Sequence, residues 1–185
     1  MKKLLPILII LILAFDSKSQ TAIYRGNVEI GYQIGTGSGM KIDQLMVSTT
    51  HGAVFGNGRW FAGAGIGFGC STNYTPRLYT FPVYGAFRYM VTSVRLRPYI
   101  EMKLGYSVCG ISGSIYGSGS YKGGVCTSPS VGITVPLNSA LALDFGVGYA
   151  YQRVSYESPF TGSGYPIVKS HFNGGGWFLK AALAF

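Results

Sequence analysis

The sequence predicts an all-β protein, an eight-stranded antiparallel up-and-down transmembrane β-barrel behind an N-terminal signal peptide. Three observations carry the prediction. Apolar residues alternate with small or polar ones in segment after segment, the period-two pattern of strands with two unlike faces. The 185 residues combine 11% charged side chains with 15% aromatics and 28 glycines, whereas soluble domains carry roughly 25% charge and about 7% Gly. No apolar run beyond the N-terminus reaches the roughly 18 residues that a membrane helix needs. A chain that enters a bilayer without helices must close into a barrel, because nothing else satisfies its backbone groups there.

The N-terminus reads as a targeting segment. Lys2 and Lys3 precede an apolar run from Leu4 to Phe15, then the small-residue pattern Ser17-Lys18-Ser19. Cleavage after Ser19 gives a signal peptide over 1–19 and one barrel domain over 20–185. An uncleaved anchor helix is the alternative, disfavoured by its short apolar core. No Cys follows the run, which argues against a lipoprotein. Removing 1–19 takes three lysines and one aspartate, leaving 12 basic and 5 acidic residues, a formal +7. No basic stripe with interleaved aromatics suggests nucleic acid; anionic outer-leaflet lipid is the more natural partner for an exported basic chain.

The eight predicted strands follow in order. Ala22–Gly35 sets Tyr24, Val28, Ile30, Tyr32 and Ile34 against Arg25, Asn27, Glu29, Gly31 and Gln33. Lys41–Phe55 is weaker, with Leu45, Val47, Ala53 and Phe55 on one face. Arg59–Asn73 alternates Trp60, Ala62, Ala64, Ile66 and Phe68 with glycines 63, 65, 67 and 69. Arg77–Val91 sets Tyr79, Phe81, Val83, Phe87 and Tyr89 against Thr80, Tyr84, Ala86 and Arg88. Arg97–Ile111 alternates Ile100, Met102, Leu104, Tyr106 and Val108 with Glu101, Lys103, Gly105 and Ser107. Gly123–Pro136 carries Val125, Val131, Ile133 and Val135, and Ser139–Val154 carries Leu141, Leu143, Phe145, Val147, Tyr149 and Tyr151. Ser170–Phe185 ends the chain.

Connections alternate in length. Gly56-Asn57-Gly58, Thr92–Leu96 and Leu137-Asn138 are short, while Gly/Ser/Tyr-rich loops lie near 36–40, 70–76, 112–122 and 155–169. Short turns on one rim and long loops on the other suit a transmembrane barrel, with the turns periplasmic. The stretch 111–124 reads as a flexible loop. Tyr24, Trp60, Tyr79, Tyr89, Tyr149, Tyr151 and Trp177 fall near strand ends, where interface aromatics belong. A soluble lipocalin-like barrel would need its bulky residues inside, leaving a charged, Gly-rich exterior.

The last segment carries a family resemblance. Trp177, Leu179, Ala181, Leu183 and Phe185 alternate up to a terminal aromatic. In this the chain resembles the OmpA/OmpX-type small outer-membrane barrels, in the version common in Bacteroidetes, over nearly all of residues 20–185. The resemblance implies that this strand is an assembly signal for the barrel-assembly machinery. Lys180 departs from it, since many members have Gly there. The resemblance fixes no function, because members include structural barrels, adhesins, narrow pores and a few enzymes.

The charges on the small-residue face are the most informative side chains. Arg25, Glu29, Arg88, Glu101, Lys103, Asp144 and Lys180 all point inward by parity. An eight-stranded barrel is just wide enough to be filled by side chains, and a buried charge must be paired. The expected outcome is a salt-bridge network that plugs the lumen; the alternative is a gated narrow ion or proton path. The glycines of the third strand would make room for the long cationic side chains. A hairpin centred near 117–118 would bring Cys109 and Cys126 together as a disulfide, chemically reasonable in an oxidising compartment. Cys70 is then left over, and no metal-ligand spacing exists. Catalysis is not expected: His51 is followed by Gly52 and Ala53, while Ser170 and His171 are adjacent and so point to opposite faces. Both histidines read as rim residues.

Arg77, Arg153 and Lys169 near the outer rim are candidate contacts for lipopolysaccharide phosphates. Arg59, Arg95 and Arg97 fall at the opposite turns, where inner-leaflet headgroups lie. Tyr74, Tyr116, Tyr121, Phe160 and Tyr165 among Gly and Ser offer an adaptable surface for an extracellular partner. The functional expectation is a monomeric, non-enzymatic barrel without cofactor, with a membrane-integrity or surface-binding role. A small-solute or ion channel stands second and a lipid-modifying enzyme third.

Overall fold

A computed structural model describes residues 22–36, 41–73, 77–92, 96–111, 120–158 and 168–185, with side chains omitted at 111, 120–122, 156–158 and 168–172. The predicted signal peptide therefore lies outside the described residues. The strands are β1 (Ile23–Gly35), β2 (Gln44–Phe55), β3 (Trp60–Ser71), β4 (Leu78–Met90), β5 (Arg97–Ile111), β6 (Ser120–Lys122), β7 (Gly124–Pro136), β8 (Ala142–Ser158) and β9 (Val168–Ala184). Eight of them form the wall, each antiparallel to its neighbour. β9 pairs with both β8 and β1, which closes the sheet. At the seam Gly26 and the terminal Phe185 exchange both backbone hydrogen bonds, at 2.7 and 2.9 Å. The barrel is thus the eight-stranded up-and-down barrel that the alternation predicted.

Alternation sets the two faces. In β5, Ile100, Leu104 and Val108 are more than half exposed, whereas Tyr99, Glu101 and Ser107 are 0–1% exposed. The same inversion runs around the wall, with Leu179 on β9 67% and Val83 on β4 59% exposed. In water such a continuous apolar exterior would be an aggregation surface; in hydrocarbon it costs nothing. The soluble lipocalin-like arrangement has the opposite polarity and is excluded. A 15-residue strand such as β5 is roughly 50 Å long. Tilted by about 40°, it still exceeds the ~25 Å apolar band of such barrels, so the wall continues past the membrane.

The turn chemistry fixes the hairpins. Gly56, Asn57 and Gly58 all have positive φ, at 62°, 57° and 82°, and the Arg59 amide donates to the Gly56 carbonyl at 3.2 Å. Asn-Gly at the two central positions is the pairing that a tight right-twisting hairpin favours. The predicted tight turn at Leu137-Asn138 is wider than expected. It runs from Leu137 to Leu141, and the Asn138 side-chain oxygen accepts from the Ala140 and Leu141 amides at 2.8 and 2.7 Å. The Leu137 and Asn138 amides in turn donate to the Leu141 carbonyl at 2.9 and 3.2 Å, so the turn closes on its own backbone and the Asn138 side chain, which delays the next strand to Ala142.

The expected loop over 111–124 contains a strand instead. β6 pairs with β8 at 120–122, continuing the wall above β7. The register slips by one residue between Lys122↔Ser155 and Cys126↔Gln152, which is a β-bulge. Gly123 occupies the slip, where an added Cβ would lie 1.6 Å from the Ser107 carbonyl oxygen. Only glycine fits there.

Candidate functional site: the charged lumen

The inward faces of five strands converge on one ion-paired cluster. Arg88 on β4 and Glu101 on β5 are direct cross-strand partners. Arg88 donates through Nε to Glu101 Oε2 at 2.8 Å, with a second nitrogen at 2.6 Å. Its Nη1 reaches Asp144 on β8, whose other oxygen accepts from Thr134 Oγ1 at 2.6 Å. Arg25 on β1 lies 3.5 Å from the same carboxylate. Lys180 on β9 bridges Glu101 and, at 3.2 Å, Glu29 on β1. Lys103 on β5 binds Glu29 at 2.7 Å and stands 3.9 Å from Glu101. All seven lumen charges named from parity are therefore in one network. Arg88, Glu101 and Asp144 are each 1% exposed, so each carboxylate is held by at least two cations inside the wall.

The local sequence makes this packing possible. Glu29 stands between Ser48 and Ala182 on the flanking strands, Asp144 between Thr134 and Ala182, and Lys103 between Ala86 and Ser128. Lys180 stands between Gly31 and Gly146. A small neighbour on each side leaves width for one long side chain to cross the lumen, the large/small alternation of small barrels. An added Cβ at Gly146 would lie 2.9 Å from Lys180 Cε and 2.7 Å from the Tyr99 hydroxyl. The β3 glycines serve a different purpose from the one expected. Gly65 and Gly69 face the Tyr84 ring and the Thr80 hydroxyl, not Arg or Lys, and it is the Tyr84 ring that in turn meets Lys103.

Two tyrosines missing from the sequence-derived site complete it. The Arg88 guanidinium sits 4.2 Å from the centre of the Tyr99 ring, and Lys103 Nζ sits 4.9 Å from that of Tyr84; both are cation–π contacts. Tyr84 also shares a buried 2.9 Å hydrogen bond with Thr50. Extending the β5 alternation one step back from Glu101 would have placed Tyr99 inside.

Toward the long-loop rim the chemistry changes. Ile42, Leu78, Cys109 and Val154 form a buried apolar cluster drawn from the β1–β2 connection, β4, β5 and β8. Between it and the ion pairs lies a cavity of about 100 Å³, lined among others by Gln33, Gln44, Gln152 and Phe178, with Glu29 and Lys103 at its charged end. Among the described residues the lumen thus holds ion pairs toward the short turns and an apolar cluster toward the long loops.

The predicted Cys109–Cys126 disulfide is not formed. Both are free thiols, as is Cys70. Cys126 pairs with Gly105, four residues short of Cys109, because the β5–β7 register centres the hairpin lower than 117–118. Cys109 Sγ instead accepts from Gln152 Nε2 at 3.1 Å. Among the described residues no group of three or more His, Cys, Asp and Glu could hold a metal.

The remaining named residues lie on the outer surface. Trp177, Leu179, Leu183 and Phe185 are exposed on the outer face of β9, with Ala181 between them. His51 also faces outward, bonded to the Tyr24 hydroxyl at 2.6 Å and Thr49 Oγ1 at 3.0 Å, and among the described residues no carboxylate bonds it. Arg77 and Arg153 are exposed. Lys169 pairs with Glu157 through its backbone, and its side chain and that of His171 lie outside the described set. So do Tyr74, Tyr116, Phe160, Tyr165 and the Tyr121 side chain. Arg97, grouped with the turn charges, faces the lumen, on the same side of β5 as Tyr99 and Glu101. Aromatic pairs lie on the outside at two heights: Trp60–Tyr89 at the short-turn ends of β3 and β4, with ring centres 4.4 Å apart, and Tyr149–Trp177, expected near strand ends but midway along β8 and β9, at 5.5 Å.

No protein-family model matches the chain, and no curated protein matches it. Solved structures do. The chain is similar to neisserial surface protein A at 13% identity and a TM-score of 0.63, over 87% of this chain and 95% of that one. It is similar to the outer membrane protein AlkL, solved in lipid bilayers, at 13% identity and a TM-score of 0.58, over 92% of this chain and 93% of the other. At such identity the likeness speaks for the fold, and the fold is that of the small outer-membrane β-barrels.

Proposed function

We propose that this chain is an integral outer-membrane barrel of structural or surface-binding role, with its lumen held shut by the ion-paired network. One observation carries the reading: three carboxylates and four cations from β1, β4, β5, β8 and β9 meet across the lumen, each within 4.0 Å of an opposite charge. A conducting path would need those contacts broken, and an isolated charge left behind costs several kcal/mol. The apolar cluster of Ile42, Leu78, Cys109 and Val154 is a second barrier. The apolar exterior and the similarity to outer-membrane barrels support residence in that membrane.

The finer assignments belong to the same proposal. The chain is of OmpA/OmpX type and Bacteroidetes-like. It is exported by a cleaved signal peptide over 1–19 and stays monomeric. Trp177, Leu179, Ala181, Leu183 and Phe185 engage the assembly machinery. Arg77, Arg153 and Lys169 meet lipopolysaccharide phosphates, and the long loops meet any extracellular partner. The barrel performs no catalysis and needs no cofactor. Conductance across a planar bilayer tests the central claim, after an unboiled gel band confirms folding. The expected result is no steady current. A stable single-channel conductance from the unaltered chain would replace this reading with the narrow-channel one.

A further inference from the structure

The charges of the network do not balance, and the imbalance has a location. Five cations, Arg25, Arg88, Arg97, Lys103 and Lys180, face the short-turn half of the lumen against Glu29, Glu101 and Asp144. Two positive charges are left over. Four of the cations lie within ion-pair distance of a carboxylate. Among the described residues Arg97 has none, and its buried Nε lacks any hydrogen-bond partner. Arg25 is only weakly held: its contact with Asp144 is 3.5 Å long, and the same nitrogen is otherwise unpartnered. Arg97 is the cross-strand partner of Thr134, whose hydroxyl donates to the same Asp144 carboxylate that Arg25 contacts, so both arginines belong to one corner of the lumen. Both lie at the short-turn mouth, Arg97 at the first position of β5 and Arg25 near the start of β1.

Like charges are not placed together in a low-dielectric wall without compensation, and an unmade bond at a buried donor costs more than a made one gains. A guanidinium fork matches the oxygen spacing of carboxylate and phosphate, and a cleft lined with one sign of charge concentrates the opposite ion. We propose that Arg25 and Arg97 form an oxyanion-binding site at the short-turn mouth of the lumen, for a phosphate or carboxylate group. The shared chemistry has two sources, a free anion from the solvent or the headgroup of an anionic lipid at the rim. The site does not depend on the role assigned to the barrel, since both arginines lie at the short-turn end whether or not the lumen conducts.

The test follows the arginine Nε–H resonances by nitrogen-15 NMR, with the chain folded in a non-ionic, phosphate-free detergent. Inorganic phosphate is titrated at constant ionic strength against chloride. The expected result is a saturable shift of the Arg25 and Arg97 signals that chloride does not produce. Arg97→Gln, which breaks no ion pair, is expected to keep the folded gel mobility and to weaken phosphate binding about tenfold or more, the worth of one hydrogen bond to a charged group. Arg97→Lys keeps the charge without the fork and falls between. A shift seen only in nanodiscs containing phosphatidylglycerol, and lost in Arg97→Gln, assigns the same site to a lipid headgroup. A response that is linear, equal for chloride, or unchanged in folded Arg97→Gln overturns the proposal.

Discussion

Glu101 is the residue on which the lumen turns, and Glu101→Gln is the sharpest perturbation of it. The substitution preserves shape and an acceptor oxygen but removes the charge that Arg88 contacts at 2.6 and 2.8 Å and that Lys180 also binds. Two carboxylates would then face the same cations at a site 1% exposed. Breaking a buried pair by removing one partner costs about 3–5 kcal/mol. The amide retains some hydrogen bonding, so about 3 kcal/mol is expected, a shift of roughly 150-fold in the folding equilibrium. The assay is urea unfolding in lipid vesicles, followed by Trp60 and Trp177 fluorescence and by gel mobility. Lys180→Met and the double variant complete a cycle, with a coupling of about 1–3 kcal/mol expected. A loss below about 0.5 kcal/mol, the range of ordinary surface changes, would refute the claim that the network holds the barrel together. Additivity of the two substitutions would refute the Glu101–Lys180 contact itself.

Three further outcomes follow from single contacts. Gly123→Ala places a Cβ 1.6 Å from the Ser107 carbonyl oxygen; it is expected to disrupt the β6–β7 bulge and lower the unfolding midpoint clearly, whereas Gly110→Ala, which meets nothing within 4 Å, is expected to leave it near that of the unaltered chain. Leu104→Arg puts a charge on the lipid face at a residue 60% exposed and is expected to cost about 2–4 kcal/mol if that height is the membrane midplane, measured by the same urea titration. Cys70, Cys109 and Cys126 are free, so mass spectrometry of the denatured, unreduced protein after alkylation is expected to show three modified thiols; a one-thiol product would restore the disulfide.

Most of the fold was legible because one physical variable, the polarity of alternate residues, decides which face meets lipid. Parity alone placed Arg88, Glu101 and Lys103 inside, since a strand gives its side chains only two directions. Parity does not give register between strands, and there the reading failed. Cys109 and Cys126 have the inward parity, yet the β5–β7 pairing puts Gly105 opposite Cys126. Nothing in a Gly/Ser-rich connection fixes where its hairpin centres. β6 was read as loop for a related reason: Ser120-Tyr121-Lys122 is too short for a periodic pattern, and its strand character comes from pairing with β8. Tyr99 was missed at the point where the β5 pattern was started one residue late, whereas the partners of Asp144 and Lys180 depend on positions across the lumen that no linear pattern contains.

The network also explains why one register wins. Its members come from β1, β4, β5, β8 and β9, and the β1–β9 pairing is the one that closes the barrel. Slipping β9 by one residue against β1 would turn every β9 side chain over. Lys180 would face lipid, at about 2–4 kcal/mol for a cation near the midplane, while Glu101 and Glu29 lost a shared partner inside. Leu179, now 67% exposed on the lipid side, would enter a charged lumen. An apolar lumen would not penalise a slip as strongly, because an inward Leu and an outward Leu are both tolerated when lumen and lipid are alike. Charges inside and aliphatics outside make the two faces non-interchangeable, and that asymmetry acts at the seam that joins the first and last strands, where Phe185 meets Gly26.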